Sequence, residues 1–135
     1  MGNKLKLKRV PSWIKDNLVQ HFLRGLADAD FCLSFKKNRK GLHCEPRLEL
    51  FTNNKIIAEF VCKSLRSMGF KVAFEDAMNR QFKEYRIRMY GKKMLDKWMK
   101  EIGFENDKHT SKVILFRMLG HVPKRLSTNQ RLKMI

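Results

Sequence analysis

The amino-acid sequence predicts an α+β protein on one four-stranded antiparallel sheet, in the order αββαββα with an extra C-terminal helix. Three observations carry this. Apolar residues recur every three or four positions in some stretches, the period of a helix, and every second position in others, the period of a strand. The two patterns alternate in two halves of similar order, which segregates helices to one side of a sheet built from hairpins. The chain of 135 residues is long enough for one packed core and too short for two. The expected organisation is a basic N-terminal arm over 1–12, a single domain over 13–120 and a basic tail over 121–135.

The first helix is expected over 13–29, with Ser12 as its cap and Ile14, Leu18, Phe22, Leu26 and Ala29 on one face. Phe31, Leu33 and Phe35 then alternate with Cys32, Ser34 and Lys36, a strand that enters a turn at Asn38 to Gly41 and returns over Arg47 to Asn53. A second helix carries Ile56, Ile57, Phe60, Val61, Leu65 and Met68 and stops at Gly69. A second hairpin is expected from Lys71 to Glu75 and Gln81 to Tyr90 around Met78, Asn79 and Arg80, with Tyr85, Ile87 and Met89 on one side. The third helix presents Met94, Leu95, Trp98, Met99 and Ile102 and stops at Gly103 before Phe104, as the second stops at Gly69 before Phe70. A fourth is expected over 108–119 by its apolar spacing, with Pro123 beyond it.

Thirty Lys and Arg against thirteen Asp and Glu leave a net charge of +17. A folded surface that basic repels itself, and a polyanion relieves the repulsion through counterion release, so nucleic acid is the expected partner. No apolar run approaches the roughly 20 residues that span a bilayer, so no membrane is expected. Cys32, Cys44 and Cys62 lack the spacing of a zinc site, and reduced thiols in an intracellular protein are expected, in cytoplasm, nucleoid or an organelle matrix. Strand alternation turns Leu33, Phe35, Leu48, Leu50, Tyr85, Ile87 and Met89 to the helices and leaves Ser34, Lys36, Arg47, Glu49, Arg86 and Arg88 on the open face. A β-ribbon with such side chains fits the major groove, where they can read base edges. A wet polar face is also what any antiparallel sheet has.

The end of the first helix reads Leu23-Arg24-Gly25-Leu26-Ala27-Asp28-Ala29-Asp30. Gly25 in a helix interior costs about 1 kcal/mol against alanine. With Ala29 one turn on, it lets a second helix approach closely. Asp28 and Asp30 stand at the negative end of the helix dipole, where a carboxylate is disfavoured unless a cation is near. A lysine could supply that cation, and so could a metal.

This segment resembles the signature of the LAGLIDADG homing endonucleases, and the resemblance extends to the element order over roughly 13–104. It implies a homing-endonuclease-like αββαββα fold whose four-stranded sheet binds DNA. It implies a homodimer, because one motif supplies half a site, packed through Arg24, Gly25, Asp28 and Ala29. It implies a Mg2+ or another hard divalent cation at Asp30, with Ala29 beside it. Asn53, at the end of the second strand, falls where the family positions the attacking water, although one of Asn53 and Asn54 also suits a helix cap. Arg88 and Lys92 are the candidates for the cation near the phosphate. Ser34, Lys36, Asn38, Arg39, Lys40, Arg47, Glu49, Arg80, Arg86 and Arg88 are the expected DNA contacts. Phe31 departs from the family, which usually has glycine after the last aspartate, and Arg24 replaces a small residue. The function expected is metal-dependent cleavage of a near-palindromic double-stranded site. The alternatives are a non-cleaving protein of the same fold, as a regulator or an intron maturase that binds RNA, and a ribosomal or general RNA-binding protein.

Overall fold

A computed structural model describes residues 16–78 and 83–135. Among them the order is α1 (Asp16–Asp30), β1 (Phe31–Lys37), β2 (His43–Thr52), α2 (Lys55–Ser67), β3 (Ala73–Met78), β4 (Lys83–Tyr90), α3 (Lys92–Glu101), α4 (Asp107–Leu119) and α5 (Thr128–Met134). The strands form one antiparallel sheet in the order β1-β2-β4-β3. Fold class and element order are as the periodicity predicts. The expected cap Ser12, the apolar Ile14 and the basic arm lie outside the described residues, as do Asn79, Arg80 and Gln81 of the second hairpin.

One face of the sheet is closed by apolar side chains. Leu33, Leu48, Leu50, Ile87 and Met89 are essentially inaccessible, and Phe35 and Tyr85 are buried with them. Trp98 on α3 is the hub below, with ring centroids of Phe31, Phe104 and Phe70 at 5.2, 5.7 and 6.1 Å. Burying a large aromatic or aliphatic side chain contributes about 1.5–3 kcal/mol, so this row accounts for much of the core's cohesion.

The helix stops are also as read. Gly69 and Gly103 have φ of 90° and 82°, a left-handed conformation that glycine adopts at least cost. The Gly69 N–H donates to the Arg66 carbonyl and the Phe70 N–H to the Leu65 carbonyl, closing the end of α2 while Phe70 folds into the core.

Four expectations change. β2 begins at His43 instead of Arg47, because Pro46, which cannot donate a ladder bond, hides the strand's first half. β3 is displaced from 71–75 to Ala73–Met78. The tail over 121–135 is not a tail throughout, since Thr128–Met134 form α5. Its start is marked by a reciprocal Ser127–Gln130 capping box. Arg131 of α5 is 6% exposed and donates to Ser111 Oγ at 2.8 Å and to the carbonyls of Leu126 and Lys108, which fastens α5 to α4.

The last change concerns α1. Its buried face is Leu23, Leu26 and Ala27, with Val19 packed against them. The stripe the spacing selects is only half buried: Leu26 lies in the core and Phe22 is half-buried against Phe60, whereas Leu18 is 41% exposed and Ala29 is exposed. α1 is therefore apolar on two sides, and the described residues cover one.

Candidate nucleic-acid interface

The two aspartates of the motif separate cleanly. Asp28 accepts hydrogen bonds from the backbone N–H groups of Glu105 and Asn106 at 3.0 Å, which ties the end of α1 to the turn before α4. Asp30, the last residue of α1, makes no hydrogen bond or ion pair among the described residues, and no basic residue stands in the last turn of that helix. A half-exposed carboxylate at the negative end of a helix, in a chain of charge +17, is thus without a cation partner among the described residues.

Beside it, Gly25 is exposed, and a Cβ added there would meet nothing within 4 Å. The glycine answers no contact among the described residues. Leu18, His21, Gly25 and Ala29 form an exposed stripe along α1 that ends at Asp30. Arg24 does not join it, because its guanidinium meets His21 Nδ1 at 2.8 Å and Glu105 at 3.5 Å.

Phe31 begins β1 with its ring in the core against Trp98, 3% exposed. Among the described residues Arg125 is the one non-glycine residue with positive φ, so the backbone after Asp30 has an ordinary strand conformation. The phenylalanine turns away from the carboxylate.

Asn53 and Asn54 also divide. Asn54 Oδ1 accepts from the N–H groups of Ile56 and Ile57 at 3.0 and 3.1 Å and caps α2, while Asn53 is exposed just past the end of β2. That strand end pairs with the start of β1, so Asn53 and Asp30 share one end of the sheet.

The open face carries less net charge than the residues read from the sequence suggest. Register puts Lys36, Arg47, Arg86 and Arg88 on it together with Glu45, Glu49, Glu75 and Glu84. Arg88 donates to Glu49 at 2.8 Å and to Glu75 at 3.1 Å, and Arg86 donates to Glu84 at 3.0 Å. The hydrogen bond to Glu49 raises the pKa of Arg88 further and holds it charged. Both guanidiniums also lie over Phe51, at 5.9 and 5.7 Å. Glu49, expected to reach DNA, is 7% exposed and serves to hold Arg88.

At the other end of the face, Arg47 lies over the Tyr90 ring at 5.0 Å, and its Nε is buried without a hydrogen-bond partner among the described residues, as is Ser34 Oγ in the same row. Lys36 and Lys92 are exposed there, and so are Arg39 and Lys40 on the hairpin tip. Asn38 shapes that tip, its Oδ1 accepting from the N–H groups of Lys40 and Leu42 at 2.9 Å. The fold does not bring Lys92 to Asp30. Along β1 the two ends lie about five residues apart, roughly 16 Å at ~3.3 Å per residue. Arg80 lies outside the described residues.

Lys112 is a cation that sequence reasoning missed. From α4 it donates to the Leu33 carbonyl on β1 at 2.9 Å, next to the exposed Cys32, and burial followed by Arg131 pushes its pKa down. It is 79 positions from its acceptor, and no local pattern announces such a contact.

Among the described residues no cluster of three His, Cys, Asp or Glu could hold a metal, and no helix is long and apolar enough to cross a membrane. Comparison of the chain with protein-family models, with curated proteins and with solved structures yields no match.

Proposed function

We propose that this chain is one half of a metal-dependent double-stranded DNA endonuclease that works as a homodimer, in the manner of the LAGLIDADG homing endonucleases. The single observation that carries the reading is the uncompensated carboxylate of Asp30 at the end of an exposed small-residue stripe. Two copies joined along α1 would cover Leu18, Gly25 and Ala29 and bring two Asp30 carboxylates to one axis, where they repel unless a cation lies between them.

The donor set fits a hard cation only as half a site: each chain offers the Asp30 carboxylate and the last carbonyls of α1, Ala29 included, which have no partner within the helix. Bound there, Mg2+ or a similar ion would supply an activated water and stabilise the leaving oxygen of a phosphodiester. This chain's own contributions are then distinct. Asp28 fixes the angle at which α1 ends, Asn53 offers a free amide at the same end of the sheet for a water, and the sheet beyond carries the duplex. C2 symmetry makes the target a near-palindrome.

A non-cleaving nucleic-acid-binding protein of the same fold is favoured by one feature, the neutralisation of Arg86 and Arg88 by Glu49, Glu75 and Glu84, which leaves fewer free cations toward the Asp30 end. A library of random duplexes decides between them. Incubation with Mg2+ and sequencing of the ends should recover a cut near-palindrome, at least 1,000-fold depleted with Asp30→Asn while binding persists. Duplex capture without cleavage by the native dimer would refute the enzyme.

A further inference from the structure

Charge on the open sheet face is divided. Arg86 and Arg88 are closed by carboxylates, whereas Lys36, Arg47 and Lys92 form no ion pair among the described residues. These three line one surface pocket of about 280 Å³ together with Tyr90, Gly91 and a single acid, Glu45.

Three further features make it a site for an anion. The Arg47 guanidinium lies over the Tyr90 ring at 5.0 Å, which restricts where it points. α3 begins at the pocket, and its N-cap, Gly91, has no side chain to satisfy the first N–H groups of that helix. Gly91 is itself fixed, its N–H donating to the Pro46 carbonyl at 2.9 Å with φ at 92°, so the first turn is aimed and rigid. Free N–H groups at the positive end of a helix, a preorganised guanidinium and two ammonium groups are the donors a tetrahedral phosphate takes. Glu45 is outnumbered by three cations in the lining, so the balance there favours an anion over a cation.

We infer that this pocket is a phosphate subsite, gripped by Arg47, Lys92, Lys36 and the first turn of α3. The inference deepens the nucleic-acid reading and rests on it for the source of the phosphate: a duplex backbone phosphate. It also moves Lys92 from the cleavage centre to an outlying clamp. At ~16 Å or more from Asp30, the clamped phosphate lies several base pairs from the cleavage centre.

Two measurements on the full chain test it. The first is binding of a random-sequence duplex by fluorescence anisotropy across salt concentrations. Arg47→Gln combined with Lys92→Gln should weaken binding about ten-fold and reduce the salt slope by about 1, one phosphate's worth. Lys55→Gln combined with Lys63→Gln, an equal charge change on the exposed side of α2, should leave both within two-fold. The second is titration with inorganic pyrophosphate followed by the backbone amide resonances of Gly91 and Lys92, which should shift and saturate in the native chain and not in Arg47→Gln.

If duplex binding is steep but indifferent to the double variant, and pyrophosphate moves neither amide, the subsite is wrong while the nucleic-acid reading stands. If the duplex does not bind but the amides saturate, the pocket takes a free phosphate compound, and the nucleic-acid reading fails. A response to both the duplex variants and pyrophosphate supports the inference as stated.

Discussion

His109 lies in the core, 1% exposed, with its ring 4.5 Å from Phe104. Burial lowers its pKa from the ordinary 6.5, Lys108 and Lys112 push the same way, and Asp28 opposes them. The neutral ring is therefore the folded form. A base whose folded pKa is depressed takes up its proton more readily when unfolded, so stability is full above 6.5 and falls as pH drops below it. The urea midpoint should decline between pH 7.5 and 5.5, and His109→Phe should flatten that decline without loss at pH 7.5; an unchanged slope would show that other groups set it. Arg131 is the converse case, a buried cation whose hydrogen-bond partners among the described residues are all neutral. Removing it leaves Ser111 and two carbonyls unpaired, and Arg131→Ala should cost about 2–4 kcal/mol in chemical unfolding. A loss within 0.5 kcal/mol would mean that α5 is not fastened by this residue.

At the scale of elements, α1 poses the sharpest contrast. Its motif was legible because Gly25, Asp28, Ala29 and Asp30 are a local pattern, and the structure divides their roles: Asp28 is tied to Glu105 and Asn106, while Asp30 is left free among the described residues. Gly25→Leu tests whether the open stripe meets a second helix. With no atom within 4 Å of the new Cβ, the monomer should unfold no more easily and gain up to about 1 kcal/mol from helix propensity. On the proposed dimer, association measured by sedimentation should weaken at least ten-fold. Equal association of both proteins would place any dimer contact elsewhere.

Over the whole molecule, positive charge collects at the chain's ends. Lys4, Lys6, Lys8, Arg9 and Lys15 face no acid before Asp16, and Lys108, Lys112, Arg117, Lys124, Arg125, Arg131 and Lys133 follow the last acid, Asp107. Those twelve cations make up most of the net +17. The sheet between them is nearly balanced. Such a distribution strains the folded state by self-repulsion, which salt screens. Raising ionic strength from about 50 to about 300 mM at pH 7.5 should therefore raise the thermal midpoint by several degrees. A flat or falling midpoint would show that the ion pairs of the sheet face outweigh the repulsion.

The sequence by itself determined the αββαββα order, the core face of the sheet and the glycine stops at Gly69 and Gly103, because these follow from local period and from φ angles open to few residues. It also marked the motif that ends at Asp30. Tertiary structure alone decided which cations are free. Arg88 and Glu49 are 39 positions apart, Lys112 and Leu33 79, and pairing over such separations depends on strand register and helix docking, which no local pattern encodes. It also decided which apolar side of α1 is buried, since a helix apolar on two sides leaves that choice to whatever packs against it.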